Sequence, residues 1–482
     1  MARMTGRINR HDLIVVGAGS GGYAAARTAR DVGCDVALVD RGPLGGLCIL
    51  RGCMPSKALL ASSDALSDAR DADALGIEAG IIKIDMPFIA ARKRVLVKEF
   101  ADYRIEGINS FPIYLGTARF LSPTQLLVGE STVLEADRFV IATGSSVSEN
   151  ALQGLSGVGY VDSDAVLDFE RIPRSVVVLG GGYTACELGQ FLARMGARTT
   201  ILIRSDHLLT SSDDDVGNAV TRYFVEEGIE VVVHATLAEV LARGEEKVVR
   251  YSRDGQESEA VGEEIFYALG RIPNVTGLGL DEAGIEHDSV RGIAVDGTMR
   301  TSNPKVYAVG DVTGEYMLVH VAIYQGEVAA RNACLNSEEI ADYRLVGAHT
   351  VFTDPQIAAV GISEKELQRK GIAYVSGRYD FAEHGKAQCL AKTKGFVKMM
   401  ADREYGRILG AAVIGAQASE LIHEVIVAMS FDATVDQFMR IPHLHPTLAE
   451  IWTYPAEECA AQLGLKAPGD EQMEVATSGT ST

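Results

Sequence analysis

The sequence predicts an α/β fold, two parallel-sheet domains followed by a C-terminal α+β domain, and three observations predict it. Two segments far apart in the chain repeat one pattern: an apolar strand, a glycine-rich turn and an alanine-rich helix. Each is followed by a second apolar strand that ends on a charged residue. The last part of the chain carries strands and a long helix but no such turn. With 482 residues, 47% apolar and 23% charged, the chain has the length for about three domains and the composition of a globular core.

The first repeat runs from Asp12 through Leu-Ile-Val-Val into Gly17-Ala-Gly19-Ser20-Gly-Gly22, then a helix, then Asp35-Val-Ala-Leu-Val-Asp40. The second runs from Ser175 through Val-Val-Val-Leu into Gly180-Gly-Gly182-Tyr183-Thr-Ala185, then a helix, then Thr199-Thr-Ile-Leu-Ile-Arg204. Strand, turn, helix, strand is the Rossmann-like βαβ unit, whose helix N-terminus holds a pyrophosphate. Asp40 stands where a carboxylate accepts from a ribose hydroxyl. Two such units predict two dinucleotides, an electron-transfer pair. Between them, residues 86–106 read as a charged helix, followed by short strands through Ile141. Strands at Phe396–Met400 and Leu409–Ile414 precede a long helix at 417–430. The expected domains are 1–150 with 271–343, then 151–270, then 344–465, with a disordered tail at 466–482. Asp213-Asp-Asp215 reads as a solvated loop.

A net charge of −20 argues against nucleic acid and anionic membrane as partners. No apolar run approaches the ~20 residues that span a bilayer, and the start of the chain does not read as a signal peptide, so a reducing cytoplasm is the expected compartment. Of seven cysteines only Cys48 and Cys53 are near each other in sequence, and nothing has zinc-site spacing, so no metal is expected. A reducing compartment disfavours structural disulfides, which leaves this close pair as a redox candidate. Five residues on an ideal helix turn by about 500°, so the two sulfurs would not share a face without a break. Gly52 and Pro55 supply one. A thiolate at a helix N-terminus beside Lys57 would have a lowered pKa. Taken alone, the pair reads equally as two buried structural cysteines.

Further motifs are Ile141-Ala-Thr143-Gly144, Gly270-Arg271-Ile-Pro-Asn274, Gly310-Asp311, Val351-Phe-Thr-Asp-Pro355 and His443-Leu-His445-Pro-Thr-Leu-Ala-Glu450. With the two turns and the cysteine pair, the chain resembles the flavin-dependent pyridine nucleotide–disulfide oxidoreductases from about Asp12 to Leu465. The resemblance implies a homodimer joined through a C-terminal dimerisation domain, with FAD in the first site and NAD(P)(H) in the second. It assigns Gly17, Gly19, Ser20, Gly22, Asp40, Gly46, Lys57, Ala118, Thr143, Gly144, Asp311 and Val319 to FAD. Gly180, Gly182, Tyr183, Ala185, Glu187, Arg204, Gly270 and Arg271 fall to the nicotinamide nucleotide. It makes Cys53 the charge-transfer thiol under the flavin and Cys48 the interchange thiol, with Lys57 and Glu187 paired near the flavin N5. His445, oriented by Glu450, becomes the base, contributed by the partner subunit, and His443 a structural residue. Within the family the His445 motif is most similar to dihydrolipoamide dehydrogenases, which oxidise a protein-borne lipoyl dithiol. Arg51 departs from that group's small apolar residue between the cysteines. Ala185 and Arg204 look like the NADPH-using glutathione reductases, so measurable NADP(H) use is expected. Reduction of a glutathione-like disulfide is the alternative enzyme reading, and a slow flavoprotein redox sensor the alternative from another class. Mercuric reduction fits less well, because the tail lacks a vicinal cysteine pair.

Overall fold

The computed structural model describes residues 9–148 and 152–465; the tail expected to be disordered lies outside them. Strand β1 (Asn9–Val16) pairs in parallel with β2 (Val36–Asp40) on one side and β6 (Thr132–Ile141) on the other. Beyond β2 lies β3 (Ile113–Leu115), and beyond β6 the antiparallel β5 (Gln125–Val128) and β4 (Ala118–Ser122). Leu13, Ile14, Val15, Ala37 and Leu38 are fully buried, the continuous apolar run of strands covered on both faces. Val306–Ala308 pairs with the end of β6, so the chain returns to this sheet after leaving it at β6. The interruption holds a four-stranded parallel sheet, built on Ser175–Leu179 and Arg198–Leu202, and a three-stranded antiparallel sheet over residues 236–262. The last domain is a five-stranded antiparallel sheet packed by helices Ala418–Ser430 and Thr453–Gln462, with Trp452 fully buried between them and the sheet.

Helix α1 (Ser20–Asp31) follows the first glycine turn. The redox segment forms α2 (Leu47–Arg51) and α3 (Cys53–Arg70), and the charged segment forms α4 (Met86–Ile108), capped by the Asp85 carboxylate accepting from the Phe88 amide. Helix Val319–Leu335 lies against α1 at backbone contact: a Cβ on Gly326 would stand 2.3 Å from the Gly21 carbonyl oxygen, and one on Gly21 2.9 Å from that of Ala322. This approach brings Cys34, just past α1, to Cys334 near the end of the other helix, and the two form a disulfide with Cα atoms 6.1 Å apart. The sequence had placed both among isolated cysteines. A separation of 300 residues hides the pairing from any local pattern.

The Asp213 run corrects a second expectation. Asp213 is 6% exposed and Lys398, from the C-terminal sheet, 4%. The Lys398 ammonium lies 2.7 Å from Asp213, 2.8 Å from Asp215 and 3.3 Å from Glu364. Asp213 also accepts from the Glu364 and Lys365 amides, the free donors at the start of helix Glu364–Lys370. Burial opposes charge on Lys398, but the carboxylates outweigh it and raise its pKa above the ordinary value. A charge run that looks solvated in sequence is thus a buried clasp between domains. Removing one partner of such a clasp strands the others, so Lys398→Met should lose about 3–5 kcal/mol in denaturant unfolding. Lys398→Met with Asp213→Asn should recover part of it, and a single-variant loss below about 0.5 kcal/mol would mean that the clasp does not couple the domains.

Candidate active site

The first glycine turn is shaped by what it must pass between. Gly17 has φ +105°, and a Cβ there would stand 2.3 Å from the Ala142 carbonyl oxygen; one on Gly22 would overlap the Gly17 oxygen at 1.8 Å. Gly19 meets nothing within 4 Å, so the turn is open on the side that faces a cavity of 690 Å³. Asp40 borders that cavity, held by the Ala18 amide at 2.7 Å and the Gly42 amide at 2.6 Å, with one lone pair on each oxygen still free. At the other end Asp311 accepts from Ser145 Oγ at 2.6 Å, and the Gly310 amide donates to the buried Gln325. Thr143 and Asn274 exchange hydrogen bonds, Thr143 Oγ1 to the Asn274 carbonyl and Asn274 Nδ2 to the Thr143 carbonyl. Ser20, Gly46, Ala118, Gly144 and Val319 complete the lining named from sequence. Bare glycine backbone at a helix N-terminus, carboxylates at both ends and Cys53 on the wall fit a flavin dinucleotide.

Ser145 and Gln325 went unnamed in the sequence, because a lone serine and a mid-helix glutamine carry no motif. Arg271, expected in the second nucleotide site, borders this first cavity instead and donates to the Ser145 hydroxyl (2.9 Å) and carbonyl (2.8 Å). Its strand pairs with Ser145–Val147, which turns the guanidinium this way.

The redox segment is two helices, not one. Gly52 breaks the backbone (φ −136°, ψ −114°), and a Cβ there would crowd the Cys48 Cα at 3.1 Å. The break turns Cys53 back toward Cys48, and both are free, half-buried thiols. Hydrogen bonding to the Cys48 thiol, with Lys57 adding its charge against the cost of burial, favours the Cys53 thiolate and lowers its pKa to about 7, while Cys53 and burial drive Cys48 upward. Lys57 Nζ lies 2.8 Å from Glu187 Oε2 and 4.4 Å from the centre of the Phe352 ring, and Glu187 Oε1 accepts from the Phe352 amide. Arg51, exposed beside the pair, lies 3.4 Å from Asp164.

His445 is elsewhere on the surface. Its Nδ1 is 2.9 Å from Glu450 Oε2, and its side chain is 81% exposed. Burial pushes the Glu450 carboxyl up, but the hydrogen bonds from His445 and the Thr447 amide more than offset this and hold it below the usual range. His443, in contrast, is pinned between the Ile441 carbonyl and Glu424.

The second turn repeats the first. Gly180 has φ +113° and no room for a Cβ beside the Ala268 oxygen, whereas Gly182 is open. Ala185 is fully buried and tolerates the one methyl that the helix–sheet contact allows. Tyr183 opens the helix and stacks on His349, 5.8 Å between ring centres. Gly270 has φ +122° and an open face. Arg204 stands exposed past the end of its strand, without an ion pair among the described residues.

Residues 11–326 match the pyridine nucleotide-disulphide oxidoreductase pattern, and residues 348–456 match the dimerisation domain of the same proteins. The chain belongs to the pyridine nucleotide-disulphide oxidoreductase family. Members of the family are enzymes that use FAD and NAD(P), and the dimerisation domain goes with a homodimer. A dihydrolipoyl dehydrogenase of Chlamydia muridarum is 34% identical over 92% of this chain and 96% of its own length. A mercuric reductase of Streptomyces lividans is also 34% identical, over 91% and 94%. The structure of LpdA from Mycobacterium tuberculosis superposes with a TM-score of 0.83 at 28% identity, covering 93% of this chain and 99% of that one. The protein is thus a flavin disulfide oxidoreductase of the dihydrolipoamide dehydrogenase kind. Among the described residues no cluster of three or more His, Cys, Asp or Glu could hold a metal ion, and no helix is long and apolar enough to cross a membrane.

The hydrogen bond from Cys48 is the largest cause of the Cys53 shift, ahead of Lys57. In the reduced enzyme, alkylation of Cys53 followed by peptide mass spectrometry should titrate near pH 7, the thiolate form lying above it. Cys48→Ala should move the midpoint up further than Lys57→Met does. An unmoved midpoint in both would mean that neither group sets the thiolate.

Proposed function

We propose that the enzyme passes two electrons between NAD(P)(H) and a dihydrolipoyl-type dithiol through FAD and a disulfide formed by Cys48 and Cys53. The observation that carries this reading is the cysteine pair itself: two free thiols on the wall of the dinucleotide cavity, with the Lys57–Glu187 pair one turn further along α3. In the dithiol-oxidising direction a substrate thiolate attacks Cys48 Sγ of the disulfide. The Cys48–Cys53 bond breaks and its electron pair leaves on Cys53, where Lys57 and the α3 N-terminus favour negative charge. The second substrate thiol, losing its proton to a base, then displaces Cys48 from the mixed disulfide. Bound FAD supplies the two-electron relay to the nicotinamide.

The base in this reading is His445 of the partner subunit. Within one chain His445 is exposed, with Nδ1 taken by Glu450 and Nε2 free to accept, the arrangement of a proton acceptor waiting for a second surface. The second nucleotide site favours NADP(H) use. An exposed, unpaired guanidinium at the strand end offers a 2′-phosphate a bidentate contact that a carboxylate there would repel.

His445→Gln should slow dithiol oxidation by at least ~100-fold while leaving nicotinamide-dependent flavin reduction nearly intact. Mixed dimers of His445→Gln and Cys48→Ser chains should regain part of the activity; verified mixed dimers that stay inactive would place the base within one chain. For the coenzyme, Arg204→Glu should shift the ratio of kcat/KM for NADPH over NADH downward by tenfold or more, on the order of one charge-assisted contact. A wild type that strongly prefers NADH and a ratio unchanged by the substitution would remove Arg204 from nucleotide recognition.

A further inference from the structure

Helix α4 packs on α2 and carries Arg104. Its Nη1 is buried without a hydrogen-bond partner, and it has no ion pair among the described residues. The guanidinium lies over the Tyr23 ring, 4.7 Å from the ring centre, and Arg27 lies over the same ring at 5.9 Å. Tyr23 itself is fixed, because its hydroxyl fills the space beside Gly107, where a Cβ would come within 2.2 Å. Arg104 is therefore held in place by a ring, not by a carboxylate. Cys53 and burial raise the Cys48 pKa, and the Arg104 charge opposes that rise in small part. On the same side of α4, one turn earlier, Phe100 is 42% exposed. A buried donor with nothing to donate to is costly unless a ligand completes it.

We propose that Arg104 receives a carboxylate carried by the dithiol or disulfide that reacts at Cys48, so that the preferred substrate class is anionic. This rests on the reading of Cys48 as the interchange thiol. A guanidinium presents a planar pair of donors that matches a carboxylate, and the face of Tyr23 leaves that plane's edge available. Phe100, one turn away on the same helix face, gives the aliphatic part of the substrate an apolar surface to lie on. A neutral amide in place of the carboxylate loses the charge-assisted contact and leaves Nη1 without an ionic partner.

The test uses the reduced holoenzyme dimer as wild type, Arg104→Gln and Arg104→Lys. Cys48 is alkylated with iodoacetate and, separately, iodoacetamide, and the rate ratio is read for each protein. The anionic over neutral ratio should fall about tenfold or more in Arg104→Gln and partly recover in Arg104→Lys. Steady-state kcat/KM for dihydrolipoate over dihydrolipoamide should follow the same order, through KM. If both alkylation rates fall together and the ratio holds, Arg104 acts on the thiol alone and the proposal is overturned. An unchanged ratio with unchanged rates overturns it equally. If the alkylation ratio responds but the wild type oxidises neither dithiol, the anion subsite stands and the dihydrolipoyl reading falls.

Discussion

Lys57, Glu187 and Phe352 come from three different domains and meet at the Glu187 carboxylate, which accepts a hydrogen bond from each of the other two. Lys57 belongs to α3 of the first domain, Glu187 to the helix behind the second glycine turn, and the Phe352 amide to the start of the C-terminal sheet. Glu187 is nearly buried and has both oxygens paired, an ammonium on one and a backbone donor on the other. The Cys53 thiolate depends in turn on Lys57. A change at this junction reaches the chemistry of the thiol and the seating of two domains together.

The same helix repeats the arrangement one and two turns further on. Gln190 exchanges hydrogen bonds with the Asp354 backbone, and Arg194 joins Glu227 of its own domain to Asp64 of α3 and Asp354 of the C-terminal domain. Positions 187, 190 and 194 fall on one face of a 3.6-residue helix. One polar stripe thus docks the nucleotide domain against both neighbours, with the Lys398 clasp as a second fastening. The junctions are ionic and hydrogen-bonded where the interior of each sheet is apolar. They fix orientation, which hydrophobic contact alone leaves loose.

Local pattern accounts for what was legible in the sequence. The two glycine turns, the break at Gly52 and helix α4 each follow from residues within a few positions of one another. The Cys34–Cys334 disulfide, the direction of Arg271 and the burial of Asp213 do not, because each is decided by an element more than a hundred residues away. Asp213 is the sharpest case. Three consecutive aspartates favour water until a lysine on another domain is brought to them, and nothing near residue 213 announces residue 398. Arg104 escaped for a related reason: an arginine in a charged helix is ordinary, and only its lack of a partner marks it.

The two halves of the proposed chemistry are finished to different degrees. The thiol pair is half-buried on the cavity wall, and Lys57, anchored by Glu187, offsets what burial costs the Cys53 thiolate. The base half is a surface dyad. Glu450 holds His445 through one oxygen, while its other oxygen accepts from the Thr447 amide and lies 3.7 Å from the buried His384, whose pKa burial lowers. If His445 is the base, its support by Glu450 and its 81% exposure together call for a second surface that closes over it.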